Sequence, residues 1–475
     1  MYELENKQVL VVGLGARGRA ACELLRGSGA GVMAVDQADT VDLRAEADRL
    51  RPLGVEIGLG AIMPPDRQFS FAVVSPAVRG DNPIVLELAR RQVPVIGELE
   101  LGCQQAKCLS IAVAGTNGKG TTAMLIERVL AHNGRKVAVC GHGARPICAV
   151  APQTKELDYL VLQVNSFQLE TTHFFRPALA VLLNLAADHL DRYATQAEYV
   201  RTTCRVLQNQ QAFDWAIVQS EALAQMRSLD VALPSKIITF SAKDREADLY
   251  LERGLLMSRL PDWSWPLLNL EDCRLRGAHN AENLMAALAV GRVLRLPLDT
   301  MVDVLKTAEA EAHCFERIAE VNGVQFINDS KATNLDALQK ALLSVPSAGG
   351  APNAWLIAGG KDKGLDYHDV GPLLAQRTKG AFIIGEAREK IRAAWSLFTP
   401  CVLSDSLLEA VSLAAKNAVP GDVILLSPAC SSFDQFRNYQ HRGEVFRQAV
   451  NGLAATIRGG SGDEHPNRQT ATERQ

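Results

Sequence analysis

Short apolar, β-branched runs alternate with amphipathic stretches along most of the chain. Gln8–Val12 (QVLVV) and Gly31–Val35 (GVMAV, ending at Asp36) have the pattern of buried strands, with helical spacing over Arg19–Gly27 between them. Phe71–Val74 and Val93–Ile96 continue the series. Strands separated by helices predict right-handed βαβ units and a parallel sheet. The segment Gly97–Lys107 (GELELGCQQAK) reads as a boundary, after which a second series opens at Leu109–Ala114. It continues through strands at Lys136–Val139, Tyr159–Val164, Leu179–Leu183 and Trp215–Val218. A mixed stretch from Ile237 to Arg274 predicts a small antiparallel insertion, followed by helices over Asn280–Leu294 and Leu298–Ala308. A third series starts near His313, with strands at Val324–Ile327, Ala354–Ile357, Gly380–Ile384 and Asp422–Leu426. Beyond Arg458 the chain is polar without apolar periodicity, which predicts a disordered tail. The expected domains are therefore 1–103, 104–310 and 311–458, all α/β, with a tail at 459–475; three is also what 475 residues imply at roughly 150 per domain.

Composition narrows the function classes. With 47% hydrophobic and 22% charged residues the balance is that of a globular protein, and a net charge of −3 gives no reason to expect nucleic acid or an anionic membrane as partner. The ten cysteines include no CxxC pair, and the first residues, MYELENKQVLVVG, lack a secretory pattern. No run approaches the roughly 20 apolar residues of a membrane span. A cytoplasmic monomer with reduced thiols, acting on small molecules, is the expectation.

The sharpest motif is Gly115-Thr116-Asn117-Gly118-Lys119-Gly120-Thr121-Thr122, between the strand Leu109–Ala114 and an amphipathic helix. Glycines let several backbone N–H groups converge on one anion at a helix N-terminus. Lys119 is then placed to neutralise β- and γ-phosphate charge, and a nearby hydroxyl can ligate Mg²⁺. The spacing is a shortened form of GxxxxGK[ST], since Ala112 and Ala114 are not glycine. The blander alternative is a tight turn with a solvated lysine. Near the N-terminus, Gly13-Leu14-Gly15-Ala16-Arg17-Gly18 with Asp36 at the next strand end fits GxGxxG. Alone, it would equally suit a dinucleotide oxidoreductase.

GTNGKG after a strand resembles the ATP loop of the Mur ligases and of the folylpolyglutamate synthases. Ser166-Phe167-Gln168-Leu169-Glu170, Asn184 with Asp188-His189-Leu190-Asp191-Arg192-Tyr193, and Gly277-Ala278-His279-Asn280 with Asn283 resemble Mur ligase segments in order. So do Asn328-Asp329-Ser330-Lys331-Ala332-Thr333-Asn334, Gly359-Gly360-Lys361-Asp362-Lys363-Gly364 and Ser427-Pro428-Ala429-Cys430-Ser431-Ser432-Phe433-Asp434-Gln435-Phe436, which are similar to the D-glutamate-adding members. The resemblance implies a Rossmann-like N-terminal domain that binds a UDP-linked substrate, a P-loop ATPase-like central domain and a Rossmann-like C-terminal domain that binds the amino acid. It implies an ATP-dependent amide ligase that adds D-glutamate to UDP-N-acetylmuramoyl-L-alanine through an acyl phosphate, in peptidoglycan precursor synthesis.

The resemblance also assigns roles. Gly115 to Thr121, Asn280 and Asp329 would bind ATP, with Lys119 and His189 catalytic. Thr121, Gln163 and His189 would hold Mg²⁺. Gly13, Leu14, Gly15, Asp36, Ser166 and Gln168 would hold the UDP-linked substrate. Lys331, Thr333, Lys363, Ser432 and Tyr439 would line the amino-acid pocket, Lys363 pairing with a glutamate carboxylate. Contacts from different domains imply closure on the ligands, which keeps the acyl phosphate from water.

Departures from the family pattern cluster on this chemistry. Gly120 stands in place of a hydroxyl residue, Gln163 of glutamate, Asn165 of serine, His142 of asparagine and Cys314 of arginine. Cys204, fifteen residues after His189, stands where the family places a carbamoylated lysine that bridges metals. Sulfur is a poor ligand for hard Mg²⁺. Phe433 and Tyr439 differ from the smaller apolar residue and the phenylalanine of the family. A catalytically weakened paralogue, or a ligase for another amino acid, is the alternative expectation.

Overall fold

The computed structural model describes residues 3–263, 265–345 and 350–460. They form two compact units: one comprises the described residues up to Ala186 together with Tyr193–Glu309, the other Ala187–Arg192 with the described residues from Ala310 on. The expected tail lies outside the described residues from 461, and the last helix, Tyr439–Gly460, runs up to that point.

The first unit holds two sheets. In the smaller, five parallel strands lie in the order Glu56–Leu59, Gly31–Asp36, Gln8–Val12, Phe71–Val74, Val95–Gly97. The most continuously apolar runs take the inner positions, buried by helices on both faces. Glu56–Leu59 escapes the sequence pattern because it is an edge strand with no fully buried residue. The segment expected as a boundary forms a helix, Glu98–Gln105, with Glu98 to Gly102 buried. Within it Glu98 Oε1 accepts from Cys148 N (2.8 Å), and Glu100 accepts from the backbone N–H groups of His173, Phe174 and Phe175. Buried carboxylates satisfied by backbone donors belong to the interior.

The larger sheet has nine strands. From Lys236–Ser241 the order is Trp215–Gln219, Leu179–Leu182, Leu109–Ala114, Tyr159–Gln163, Val137–Gly141, all parallel. The stretch expected as an antiparallel insertion extends this sheet. Leu249–Glu252 pairs parallel with Lys236–Ser241, and Leu255–Ser258 and Trp265–Asn269 follow antiparallel at the edge. The helix Ala278–Val293 is buried continuously from Ala281 to Gly291, between the helix Lys119–His132 and the sheet, and so shows no polar face.

The second unit is a six-stranded sheet in the order Glu316–Val321, Val324–Asn328, Val423–Leu426, Ala354–Gly359, Thr378–Ile384, Cys401–Leu403. Only the hairpin of the first two is antiparallel. The two edge strands, Glu316–Val321 and Cys401–Leu403, have no fully buried residue and were silent in the pattern.

Candidate active site

Leu109–Ala114 lies inside the nine-stranded sheet, so its carboxyl end projects the glycine loop onto the N-terminus of Lys119–His132. Gly115 has φ +130°, and a Cβ there would sit 2.9 Å from Leu183 Cβ. Gly118 has φ +89°, and its Cβ would meet Asn283 Oδ1 at 2.5 Å. Neither position accepts a side chain. The loop is held from the next strand end. Thr116 N donates to Asn184 O (2.8 Å), Asn117 N to Asn184 Oδ1 (3.1 Å), and Asn184 Nδ2 to Asn117 O (3.1 Å). Lys119 Nζ donates to the Gly115 and Thr116 carbonyls at 2.7 and 2.8 Å, which places the ammonium over the loop. Gly120 is buried and Thr121 half-buried. The fully buried Thr122 donates to Asn283 Oδ1 (3.0 Å), Asn283 to Asn280 Oδ1 (3.2 Å), and Asn280 to Arg276 O (2.9 Å). The Gly277–Asn283 motif thus buttresses the loop directly.

Helix Gln196–Cys204 reaches the loop through Tyr199, whose hydroxyl lies 2.9 Å from Thr116 Oγ1. Residues four apart share a helix face, so Thr203 is the next position on that side; its hydroxyl donates to Tyr199 O (2.9 Å). Cys204 points into the apolar core with Val206 and Leu207, and burial pushes its thiol up to about 12. Cys204, the position that spacing from His189 singles out, thus faces the core, and Thr203 shares the helix face of Tyr199.

Gln163 ends its strand half-buried, and its carbonyl accepts from His142 N (2.7 Å). His142 Nδ1 in turn lies 3.1 Å from Asn165 Nδ2. Three departures from the family pattern are thus one connected group. Asn165 also caps Ser166–Leu169 in a reciprocal box with Gln168. Among the described residues no three acidic, histidine or cysteine groups converge as a metal site. Thr121 and Gln163 offer hard, neutral oxygens, which suit Mg²⁺ carried largely by nucleotide phosphates.

Gly13, Gly15 and Asp36 line a cavity of about 500 Å³ with Ser75, Arg79 and Asn82. Gly18 permits this turn, since a Cβ there would fall 1.8 Å from Gly13 O. Asp36 accepts from Leu14 N of the loop (2.8 Å) and from Ala38 N (2.9 Å), so both oxygens are engaged by backbone donors. Ser166 and Gln168 are buried, and Ser166 Oγ and Gln168 Nε2 have no hydrogen-bond partner. The same holds for Arg17 Nε, Glu98 Oε2 and Thr171 Oγ1. Orphaned buried polar atoms cost about 1–3 kcal/mol each, which points to a polar ligand. Arg17 and Glu98 carried no distinguishing sequence signal, because Arg17 fills a variable fingerprint position and Glu98 lies in the segment read as a boundary.

In the second unit Lys363 is buried, and its ammonium donates to Asp188 Oδ1 at 2.9 Å. Asn334 Nδ2 donates to Asp188 Oδ2 (3.1 Å), and His189, at φ +56°, donates its N–H to Oδ1 (2.8 Å). Burial would raise the Asp188 carboxyl, but Lys363, His189 and Asn334 outweigh it and hold it down at about 2. Lys331 pairs with Glu311 and lies 6.0 Å from the Tyr439 ring centroid. Cys314 adjoins Lys331, with its thiol pushed up to about 12 by burial. Thr333 is half-buried, Ser432 buried and Phe433 69% exposed. Asp329 accepts from Phe315 N and Ser427 Oγ, both at 2.9 Å; burial dominates and raises it to about 7.

The family model for the Mur ligase middle domain matches residues 113–291, and that for the Mur ligase glutamate ligase domain matches 313–430. A UDP-N-acetylmuramoylalanine--D-glutamate ligase of Acidobacterium capsulatum is 39% identical over 453 residues, 94% of this chain and 97% of that one. The protein of the same name from Koribacter versatilis is 37% identical over 459 residues, 95% of this chain and 99% of its own. The chain belongs to the Mur ligase family. As a Mur ligase it is an ATP-dependent ligase, and the dinucleotide oxidoreductase reading of the N-terminal fingerprint is set aside. UDP-N-acetylmuramate-alanine ligase MurC from Thermotoga maritima shares the fold at TM-score 0.59 and 18% identity, over 94% of this chain and 100% of that one. Among the described residues no helix is long and apolar enough to cross a membrane.

Proposed function

We propose that this Mur ligase joins D-glutamate to UDP-N-acetylmuramoyl-L-alanine with ATP, as a cytoplasmic monomer in peptidoglycan precursor synthesis and hence in cell-wall growth, cell shape and division. The observation that carries the reading is identity of 39% and 37% across almost the whole chain to relatives bearing that name. An unactivated carboxylate does not form an amide in water. In the reaction a carboxylate oxygen attacks the γ-phosphorus and ADP leaves. The amine then attacks the acyl carbon, and phosphate leaves with loss of a proton from nitrogen.

The residues divide this work. Lys119 exchanges the Gly115 and Thr116 carbonyls for β- and γ-phosphate oxygens, and the loop amides other than those of Thr116 and Asn117 complete the cradle. Thr121 and Gln163 would hold Mg²⁺ together with the phosphates, and His189 would hold a second ion; the metal would supply neutralisation of the charge that builds up during transfer. Asn280, which buttresses the loop through Asn283, binds the nucleoside of ATP. Gly13, Leu14, Gly15 and Asp36 hold the UDP end, while Ser166 and Gln168, whose Oγ and Nε2 lack partners, take the muramoyl end. Lys331, Thr333, Lys363, Ser432 and Tyr439 receive the amino acid. The three segments 1–103, 104–310 and 311–458 are assigned to UDP substrate, ATP and amino acid respectively.

ADP release is the test, with the precursor present and D-glutamate, L-glutamate or no amino acid added. Release dependent on D-glutamate supports the reading. A second reading, a weakened paralogue, is favoured by Gln163, whose neutral amide stands where the family has a carboxylate. Precursor binding without any turnover would select it.

A further inference from the structure

Arg442 has no exposed surface, yet it lies in the first turn of Tyr439–Gly460. A buried cation at the positive end of a helix dipole is doubly unfavourable. None of its hydrogen bonds reaches a carboxylate; all end on neutral oxygens. Nε donates to Ser330 Oγ (3.1 Å), one terminal nitrogen to Ser330 O (2.9 Å), and the other to Cys430 O (3.1 Å) and Ser431 O (3.4 Å). Burial lowers its pKa to about 10, with Cys430, Asp434 and Asp329 pulling the other way.

Those acceptors lie on two loops assigned to the amino-acid pocket. Ser330 precedes Lys331, and Ser431 precedes Ser432. A third loop joins them: Lys361 N donates to Ser431 O (2.9 Å), and a Cβ on Gly360 would come 3.2 Å from the Arg442 guanidinium. That loop carries Lys363. Ser330 Oγ also donates to Tyr439 O (2.8 Å), which brings in a fourth pocket residue. Only a planar fork with several donors can hold this many acceptors at fixed angles; a lysine ammonium cannot.

We propose that Arg442 is the positioning residue of the amino-acid site: its guanidinium fixes the loops bearing Lys331, Lys363 and Ser432 at the spacing a dicarboxylic amino acid spans. The assignment rests on the functional reading above. Its test is steady-state ADP release by Arg442→Lys, with D-glutamate and ATP varied separately. The KM for D-glutamate rises at least tenfold, while the KM for ATP stays within twofold and the melting temperature within a few degrees. A general loosening of the fold would move both constants together, and that result overturns the proposal, as does an unchanged glutamate KM. Should Arg442→Lys fail to fold, Ser330→Ala removes only one hydroxyl, the acceptor of Nε and the donor to Tyr439 O. It raises the glutamate KM about threefold, and an unchanged value likewise overturns the proposal. Unmodified enzyme without D-glutamate-dependent release overturns the functional reading and this assignment with it.

Discussion

Asp188→Asn leaves the Lys363 ammonium buried without its counter-charge, with side-chain exposures of 10% and 7% for the pair. At 2.9 Å and an effective dielectric of 20, the attraction is roughly 6 kcal/mol before the cost of desolvation. Breaking a buried pair by removing one partner costs about 3–5 kcal/mol, because an uncompensated charge remains. The asparagine keeps an acceptor for Asn334, so about 3 kcal/mol is the expected loss. Urea denaturation read by tryptophan emission follows the second unit through Trp355 and Trp395. Placing these alone in a background with the other tryptophans changed to phenylalanine isolates the signal. The double variant Asp188→Asn with Lys363→Met should recover most of the loss, since no buried charge is left. A single variant within 0.5 kcal/mol of its parent, or a double variant worse than the single, would refute the argument; both thresholds sit near the ordinary noise of additivity, roughly 0.3–0.5 kcal/mol.

Lys119→Ala should abolish ATP binding by calorimetry while leaving circular dichroism unchanged, because the loop carbonyls that its ammonium bonds remain in place. Asp329, raised to about 7 from an ordinary 3.8, binds more protons folded than unfolded between those values. Second-unit stability should therefore fall as pH rises from about 4 to 7, by on the order of 2–4 kcal/mol, whereas Asp329→Asn should be flat across that window. A wild type that gains stability over the same range contradicts the burial argument. Gln163→Glu combined with Thr203→Lys should lower the Mg²⁺ needed for half-maximal ATP binding about tenfold and make turnover respond to bicarbonate, a gain of about 1.4 kcal/mol. Cys204→Lys should instead lower stability by about 2 kcal/mol or more, since it drives an ammonium into an apolar core.

What the sequence could show was local. Gln8–Val12 and Leu109–Ala114 were legible because inner parallel strands are uniformly apolar, and the glycine loop because its backbone demands glycine at 115 and 118. Glu56–Leu59, Glu316–Val321 and Cys401–Leu403 were not, because edge strands need no continuous burial. The helix Glu98–Gln105 was hidden by carboxylates whose backbone donors come from residues around 148 and 174. The partner of Lys363 lies 175 residues away, beyond any spacing rule, and Arg442 gains its meaning only from the loops folded around it. Cys204 shows the reverse limit: a motif position can be named from spacing, but only the helix face shows that Thr203 is the side chain turned toward Tyr199.

The central claim is that this chain activates a carboxylate as an acyl phosphate, and transfer of an oxygen isotope tests it most directly. UDP-N-acetylmuramoyl-L-alanine labelled with ¹⁸O in the alanine carboxylate is incubated with ATP, Mg²⁺ and D-glutamate, and the released phosphate is analysed by mass spectrometry. One ¹⁸O per phosphate, formed in step with the amide product, is the result the account predicts. Unlabelled phosphate, or ATP hydrolysis without amide, would contradict it.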